Sequence, residues 1–371
     1  MNENKICVYA IAKNESKFVE EWVKSMSPAD HIIVLDTGST DNTVELLRSF
    51  GVEVHEISYD HFRFDTARND SLDLVPDEYN IRVCTDLDEK FESDDWAQIL
   101  KDNWDEEKGR VIYSYVWNHT ETGQPGLQFT INKIHGKNPD LRWAGAVHEH
   151  LTFMSTGKRE FSDFIDLTGK IVLHHYPDLS KDRRYYIRLA EERIKDNPDD
   201  IQAHILLGNE YKVKGWPEKA VKAYTECLEK GQDNMDSIQK AALYYNLGST
   251  YMQLNQALNA MKAYTEGIAA RTTYRDNYYG LGVLYINSNL FDAAIGMLEQ
   301  GLKGCKQEFF WMEDPFTWTY ALWDALGFAY FAKGNIEKAM SCASIALSYE
   351  PNNQKLVENY QKYLNALKQN N

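Results

Sequence analysis

Two aspartates that stand one residue apart, directly after an apolar segment, are the residues whose chemistry is easiest to name. Residues 81–85 predict a short buried strand, and Asp86 and Asp88 follow it. Side chains alternate along a strand, so two positions separated by one residue share a face. Mg²⁺ and Mn²⁺ prefer carboxylate oxygens together with the phosphates of a substrate. The pair therefore predicts a divalent-cation site for a diphosphate, although the acidic residues that continue to Asp95 leave a solvated acidic loop as the alternative.

The first 175 residues alternate apolar, β-rich segments with amphipathic ones, which predicts an α/β fold. Strands are expected at Ile6 to Ile11, His31 to Leu35, Val52 to Ile57 and Ile81 to Thr85, with helices between them. Such alternation predicts a mostly parallel sheet with helices on both faces. Ligands of these sheets bind at the carboxyl ends of the strands. The loop that starts at Asp36 and the aspartate pair both fall at such ends.

The second half of the chain is helical in pattern and repeats. Four leucine–glycine pairs are each followed by a tyrosine three residues and an alanine twelve residues after the glycine, at Gly208, Gly248, Gly282 and Gly327. This spacing is typical of tetratricopeptide repeats, in which small residues mark the close approach of paired helices. One irregular helical bundle is the alternative. We expect an α/β domain at residues 1–180, a linking helix at 181–200 and an all-α tetratricopeptide-repeat domain at 201–371.

Composition excludes several classes of function. The formal net charge of -16 argues against a nucleic-acid partner and against an anionic membrane surface, since both need clustered lysine and arginine. The five cysteines are scattered without a CxxC pair, which favours reduced thiols in a cytoplasmic protein. We expect neither a signal peptide nor a membrane span, because no apolar run approaches the roughly 20 residues that a span needs.

Polar motifs occur in a fixed order along the first half. They are Lys13-Asn14-Glu15-Ser16, Asp36-Thr37-Gly38-Ser39-Thr40-Asp41, Phe64-Asp65-Thr66-Ala67-Arg68-Asn69, Asp86-Leu87-Asp88, Arg142-Trp143-Ala144-Gly145-Ala146-Val147-His148-Glu149 and His174-His175-Tyr176. This set resembles the family 2 glycosyltransferases, which have the Rossmann-like GT-A fold. It is most similar to the subgroup with a helical repeat tail that includes the sublancin S-glycosyltransferase and related peptide glycosyltransferases. The QxxRW motif of better-known members, with its ED partner, is not found in residues 1–180.

The resemblance implies which residues bind the nucleotide sugar. Asp36 would accept the imide N–H of uracil, which makes a UDP-sugar the expected donor, and turn formation or helix capping is its alternative role. Arg68 would contact the nucleotide, unless it forms an ordinary salt bridge with Asp65 or Asp70. Asp86 would lie near the ribose and the metal, and Asp88 would ligate the metal. The complete predicted set is Ala10, Ile11, Ala12, Asn14, Glu15, Asp36, Ser39, Arg68, Asp86, Leu87, Asp88 and Trp143.

The segment from Arg142 to Glu149 would supply the acceptor side of such an enzyme. Trp143 suggests an aromatic platform for the face of a sugar. Inverting transfer needs a general base, and Glu149 or His148 could take the acceptor proton. His148 could instead complete the metal shell as a neutral imidazole. Three other histidines compete for the metal role: His150, His174 and His175.

The resemblance as a whole implies a metal-dependent, inverting glycosyltransferase of the hexosyltransferase type with Mn²⁺ or Mg²⁺ as cofactor. It would transfer a sugar from a UDP-sugar to a peptide or protein, with the repeats binding that acceptor or pairing two subunits. Aromatic residues at Phe309-Phe310-Trp311 and Trp318 fit a recognition surface or, equally, a packed core. One alternative acceptor is a glycan or lipid-linked saccharide. The alternative of another class is a noncatalytic nucleotide-binding repeat scaffold.

Overall fold

The computed structural model describes residues 4–119, 123–156, 164–178, 185–231, 235–307 and 312–370. The chain divides into two compact units, Met1–Arg193 and Ile194–Asn371. The first contains a β-sheet and helices, and the second is helical, as predicted. The aromatic run at residues 309–311 lies outside the described residues, so its role stays a prediction.

One mixed β-sheet is the centre of the first unit. Its strands are β1 Ile6–Ala12, β2 His31–Asp36, β3 Glu53–Glu56, β4 Ile81–Cys84, β5 Glu89–Phe91, β6 Arg110–Val116, β7 Gln128–Gly136, β10 Ile165–Asp166 and β11 Val172–His175. Among the described residues their order is β3-β2-β1-β4-β7-β6-β11-β5, with β10 paired to β6. A separate hairpin joins β8 Leu141–Ala144 to β9 His150–Phe153.

The four strands expected from the sequence form the parallel part of this sheet. β3, β2, β1 and β4 are parallel to one another. β7 then runs antiparallel to both β4 and β6, and β5 runs antiparallel to β11. The α/β class is therefore confirmed, while the second half of the sheet is mixed because strand–helix alternation ends at the turn after β4.

Alternating side chains of β1 build a core on each face of the sheet. Ile6, Val8 and Ala10 pack with α1 Val19–Met26, α2 Thr43–Ser49 and α4 Trp96–Asn103 on one face. Cys7 and Tyr9 pack with α3 Phe64–Asp73 and the β8–β9 hairpin on the other. Because β1, β2 and β4 are parallel, their carboxyl ends lie at the same edge of this sheet.

Helices follow one another in antiparallel pairs through the second unit. The described helices are α6 Ile201–Val213, α7 Pro217–Lys230, α8 Ser237–Gln253, α9 Ala257–Ala270, α10 Arg275–Asn287, α11 Phe291–Gly304, α12 Pro315–Trp318, α13 Ala321–Ala332, α14 Ile336–Tyr349 and α15 Gln354–Asn370. Gly248 shows why glycine recurs: a Cβ there would come within 2.6 Å of the Tyr264 ring on the partner helix. The close approach that the spacing predicts is present.

The predicted linking segment contains one further helix, α5 Tyr185–Asp196. The division between the two units falls inside this helix, after Arg193. Most of α5 therefore belongs to the first unit. Within the described part of the chain, no helix is both long enough and apolar enough to cross a membrane.

Candidate active site

Side-chain hydrogen bonds join the loops that follow β1 and β2. Asn14 has a left-handed backbone (φ 53°), and its Oδ1 accepts a hydrogen bond from the Thr40 N–H at 2.7 Å. The Asn14 N–H donates to Ser39 Oγ at 2.8 Å. Asp36, the last residue of β2, accepts from the N–H groups of Gly38 and Ser39 at 2.9 and 2.8 Å. The structure thus brings Asn14, Asp36 and Ser39 together at the carboxyl ends of two parallel strands.

The Asp36 carboxylate closes its own turn in this arrangement. Asp36 is only 2 % exposed, and the second oxygen of its carboxylate accepts a hydrogen bond from the Ser39 hydroxyl. Turn formation, the alternative left open by the sequence, is therefore what Asp36 does here. Its assignment to the nucleotide base stays a prediction. The neighbouring backbone is buried as well, since the carbonyl of Ala12 accepts from both the N–H and the hydroxyl of Thr37.

Arg68 connects two of the predicted carboxylates. Its Nη2 donates to Asp86 Oδ1 at 2.5 Å and its Nε donates to Glu149 Oε1 at 2.8 Å. The arginine side chain is 3 % exposed, whereas the side chains of Glu149 and Asp86 are 10 % and 33 % exposed. The salt bridges considered from the sequence, with Asp65 or Asp70, are not the ones that Arg68 makes.

Lys133 and Glu89 complete this network and were missed from the sequence. Lys133 Nζ lies 3.0 Å from Asp86 Oδ2 and 2.7 Å from Glu89 Oε1. Glu89 is fully buried and also accepts from the Asp86 N–H at 2.9 Å and the Tyr115 hydroxyl at 2.6 Å. A lysine in the interior of β7, between Ile131 and Ile134, is the signal that could have found the network, because lysine is rarely buried unless it is paired.

The two cations decide the charge state of Asp86. Burial favours the neutral acid, but Arg68 and Lys133 together hold the pKa of Asp86 well below its usual range. Burial likewise opposes the charge on Lys133, whereas Asp86 and Glu89 raise the pKa of that lysine. Both oxygens of Asp86 are occupied by protein cations, so its donor set does not fit a metal ligand in this arrangement.

Asp88 has a different partner. Its Oδ2 lies 3.4 Å from Nε2 of His175, and the Asp88 side chain is 15 % exposed. His175 Nδ1 is 2.9 Å from the Trp117 carbonyl, to which it can donate, so that Nε2 faces Asp88. Burial lowers the pKa of His175, but the hydrogen bond and charge of Asp88 outweigh it and the net shift is upward.

The Asp88–His175 pair fits a divalent cation better than the predicted pair Asp86–Asp88. A histidine that binds metal usually donates its other ring N–H to a carbonyl or carboxylate, as His175 does to Trp117. Among the described residues, no group of three or more His, Cys, Asp or Glu side chains could hold a metal ion. A cation here would therefore take most of its ligands from a substrate and from water.

The comparison with protein families decides the class of the first unit. The model of glycosyl transferase family 2 matches residues 7–165, which include the loops after β1, β2 and β4, Arg68 and Glu149. Residues 7–165 are a family 2 glycosyltransferase domain. The tetratricopeptide-repeat model matches residues 201–229, 241–273 and 320–353 of the second unit. The glycosyltransferase domain is thus followed by tetratricopeptide repeats, as the sequence predicted.

Solved structures similar to this chain are repeat proteins. MamA is 25 % identical to this chain, and the match covers 46 % of this chain and 83 % of the MamA chain, with a TM-score of 0.35. A thermophilic tetratricopeptide-repeat protein from Thermus thermophilus is 20 % identical to this chain. The match covers 48 % of this chain and 88 % of that protein, with a TM-score of 0.37. At these scores neither structure bears on function. No curated protein matches the chain.

Three predicted residues of the glycosyltransferase domain take positions that the sequence did not indicate. Trp143 is 4 % exposed, and its indole N–H donates to the Tyr9 hydroxyl at 3.0 Å, so the ring is part of the core and does not offer the expected platform for a sugar. Leu87 is also a core side chain, which leaves only its backbone for a ligand. The His148 ring packs edge-on against Tyr186 at 6.1 Å, whereas the histidine beside Asp88 is His175.

Proposed function

We propose that the chain is a divalent-cation-dependent, inverting glycosyltransferase that transfers a sugar from a UDP-sugar to a peptide or protein. The observation that carries the proposal is the Arg68 guanidinium, which connects Asp86 with Glu149 at the carboxyl ends of the strands. In a family 2 domain these ends are where a nucleotide-activated substrate is expected to bind. A buried arginine is costly unless it organises charged groups, and here it fixes two carboxylates in one site.

Asp88 and His175 are the residues that would hold Mn²⁺ or Mg²⁺. A cation bound there would stabilise the negative charge that develops on the departing diphosphate. Asp86 has a different role, because Arg68 and Lys133 neutralise its carboxylate and Glu89 accepts a hydrogen bond from its backbone N–H. Asp86 therefore keeps the turn in place, so that Asp88 faces His175.

Glu149 is the residue that would take the acceptor proton. The acceptor atom attacks the anomeric carbon of the donor and forms the new glycosidic bond. The bond from that carbon to the diphosphate oxygen breaks, and its electron pair leaves with UDP. The acceptor proton passes to the Glu149 carboxylate, whose Oε1 is oriented by Arg68 Nε at 2.8 Å. A single displacement of this kind inverts the configuration at the anomeric carbon.

The repeats are the proposed site for a peptide acceptor. A cavity of about 400 Å³ lies between α8 and α10, and its lining includes Tyr245, Tyr264, Tyr279, Met252 and Val283. Apolar and aromatic walls of this size suit a peptide side chain. Near one end, Lys212 Nζ donates to Ser249 Oγ at 2.7 Å and to Asn246 Oδ1 at 3.3 Å. Pairing of two copies through the repeats is the competing use of this unit.

A donor-hydrolysis assay tests the enzymatic part of the proposal. The full chain is incubated with UDP-glucose, UDP-galactose or UDP-N-acetylglucosamine, with MnCl₂ or with a chelator, and free UDP is measured. We expect Mn²⁺-dependent release of UDP from one of these donors. Release that is unaffected by the chelator would remove the metal requirement, and nucleotide binding without any turnover would favour the scaffold.

Intact-mass analysis of candidate acceptors then tests the acceptor class. A peptide that gains the mass of one hexose, or of one N-acetylhexosamine, supports transfer to protein. Transfer only to a saccharide or a lipid-linked saccharide would replace the peptide in this proposal.

A further inference from the structure

The segment from residue 143 to residue 149 is held along its length by helix α3. The Asn69 carboxamide pairs with both backbone groups of Trp143: it donates to the carbonyl and accepts from the N–H, each at 2.9 Å. Asp65 Oδ2 accepts from the Gly145 N–H at 3.0 Å. The α3 motif and the Trp143–Glu149 motif, which are about 75 residues apart in the sequence, are therefore two sides of one contact.

Arg193 on helix α5 makes further contacts to this segment. Its Nη1 donates to the carbonyl oxygens of Val147 and His148, both at 2.9 Å, and the arginine is 2 % exposed. Gly145 has a positive φ of 105°, and a Cβ there would lie 3.4 Å from the Arg193 guanidinium. The guanidinium thus lies close against the loop and replaces the water that its carbonyl groups would otherwise bind.

The loop needs this support because His148 has a strained backbone. Its φ of 49° lies in the left-handed region, which costs a residue other than glycine on the order of 1 kcal/mol. Backbone strain of this kind persists only where surrounding contacts enforce it. The left-handed turn at His148 is also what directs the next residue, Glu149, towards Arg68.

We propose that Arg193 is a positioning residue for transfer: from α5 it holds the left-handed turn at His148 and so directs the Glu149 carboxylate. The inference rests on the proposed function, in which Glu149 takes the acceptor proton. It also changes the role of α5, which was expected only to link two domains. The catalytic unit then extends to residue 193, beyond the matched residues 7–165.

The test compares full-chain Arg193→Gln and Arg193→Lys with a matched control on the same helix, Arg188→Gln. The Arg188 side chain is 43 % exposed and contacts Glu192, the His61 ring and the Phe62 carbonyl, which all lie outside residues 143–149. Hydrolysis of the best UDP-sugar with MnCl₂ gives kcat and KM, calorimetry gives the Kd of UDP, and hydrogen exchange reports the backbone of residues 143–150. Melting temperatures show which variants are folded.

We expect Arg193→Gln to lower kcat by about 10²-fold, the size of effect seen when a catalytic group is displaced by about 1 Å. KM and the Kd of UDP should stay within about twofold of wild type, because the donor-side residues are untouched. Exchange should rise in residues 145–149, and Arg193→Lys, which keeps a donor, should be intermediate in both readouts. Arg188→Gln should match wild type.

Three results would overturn the inference. The first is an Arg193→Gln variant with the kcat of Arg188→Gln. The second is a parallel loss of kcat, UDP affinity and melting temperature, which would show a purely structural role. The third is unchanged hydrogen exchange in the Arg193 variants, which would show that Arg193 does not support the loop. Should Arg193→Gln not fold, the same criteria apply to Arg193→Lys. A wild-type chain without turnover refutes the proposed function instead.

Discussion

Arg68 Nε donates a hydrogen bond to Glu149 Oε1 over 2.8 Å, although the two residues are 81 positions apart in the sequence. The same guanidinium binds Asp86 through Nη2. In the proposed reaction, the residue that takes the proton and the turn that faces the leaving diphosphate are therefore parts of one ion network. A change at either carboxylate alters the charge that Arg68 presents to the other.

Glu149→Gln tests the proton acceptor. Glutamine keeps an oxygen for Arg68 but is not a base, so we expect sugar transfer or donor hydrolysis to slow by about 10²-fold or more. UDP binding should persist, as measured by calorimetry, because the donor-side residues are unchanged. Glu56→Gln is the control, since the Glu56 side chain is 56 % exposed and pairs with Arg48 in a surface contact. Near-normal turnover of Glu149→Gln would exclude the role.

Asp88→Ala and Asp86→Asn separate the two halves of the aspartate pair. We expect Asp88→Ala to abolish the Mn²⁺ dependence of UDP binding while the protein stays folded. Asp86→Asn should keep that dependence and lower the melting temperature, because it leaves the charges of Arg68 and Lys133 less compensated. Calorimetric titrations with and without MnCl₂ distinguish the variants. The opposite pattern, with metal dependence lost only in Asp86→Asn, would show that Asp86 is the metal ligand.

Lys133→Met tests the buried network. Removal of the ammonium group leaves Asp86 without one of its two cations and Glu89 without its ion-pair partner, which should cost about 3–5 kcal/mol of unfolding free energy. Urea denaturation measures this loss. Lys137→Met is the control, because Lys137 pairs at the surface with Asp77, whose side chain is 82 % exposed. A surface pair of this kind contributes at most about 1 kcal/mol. Equal effects of the two substitutions would contradict the network.

Asp276 in the repeats should make stability depend on pH. Burial raises its pKa to about 8. A protonated Asp276 fits the contacts: it can donate to the Thr317 hydroxyl, 2.5 Å away, which in turn can donate to the Asp314 carbonyl at 2.8 Å. The folded form keeps a proton on Asp276 that the unfolded chain releases near pH 3.8. The contribution of Asp276 to the free energy of unfolding is therefore complete at low pH and is lost as the pH rises to about 8.

The melting temperature of wild type minus that of Asp276→Asn should therefore fall between pH 5 and pH 8, which calorimetry at several pH values would show. One proton contributes at most about 1.4 kcal/mol per pH unit. Asp292→Asn is the control, since that side chain is 82 % exposed and its difference from wild type should stay constant. A constant difference for Asp276→Asn as well would mean that Asp276 ionises normally in the folded protein.

Gly248→Ala and Gly296→Ala form a matched pair within the repeats. A Cβ at Gly248 would meet the Tyr264 ring at 2.6 Å, so overpacking should cost about 1–3 kcal/mol. A Cβ at Gly296 would meet nothing within 4 Å, and alanine there should stabilise α11 by up to about 1 kcal/mol. The midpoint of urea denaturation should shift to lower urea for Gly248→Ala and to higher urea for Gly296→Ala. A stabilised Gly248→Ala would refute the close approach of α8 and α9.

Periodic and local features were predictable from the sequence. The four parallel strands and the repeats both follow from short-range patterns, and Asp36, Asp86 and Asp88 lie at strand ends as expected. The alternative considered for Arg68, a salt bridge with the nearby Asp65 or Asp70, is wrong, because Arg68 binds Asp86 and Glu149. Its contact with the nucleotide stays a prediction. The antiparallel β7 and the lysine it carries were missed because pairing between distant strands leaves no regular spacing in the sequence.

The sequence by itself determined the order of the elements, the repeat architecture and the polar motifs at the strand ends, because these depend on periodicity and on turns within a few residues. Only the tertiary structure decided which charges meet. It paired Arg68 with Asp86 and Glu149, neutralised Asp86 with Lys133, and placed His175 beside Asp88. Those pairs form between segments that lie far apart in the chain, and burial in the folded sheet selects among the many carboxylates and cations that the sequence offers.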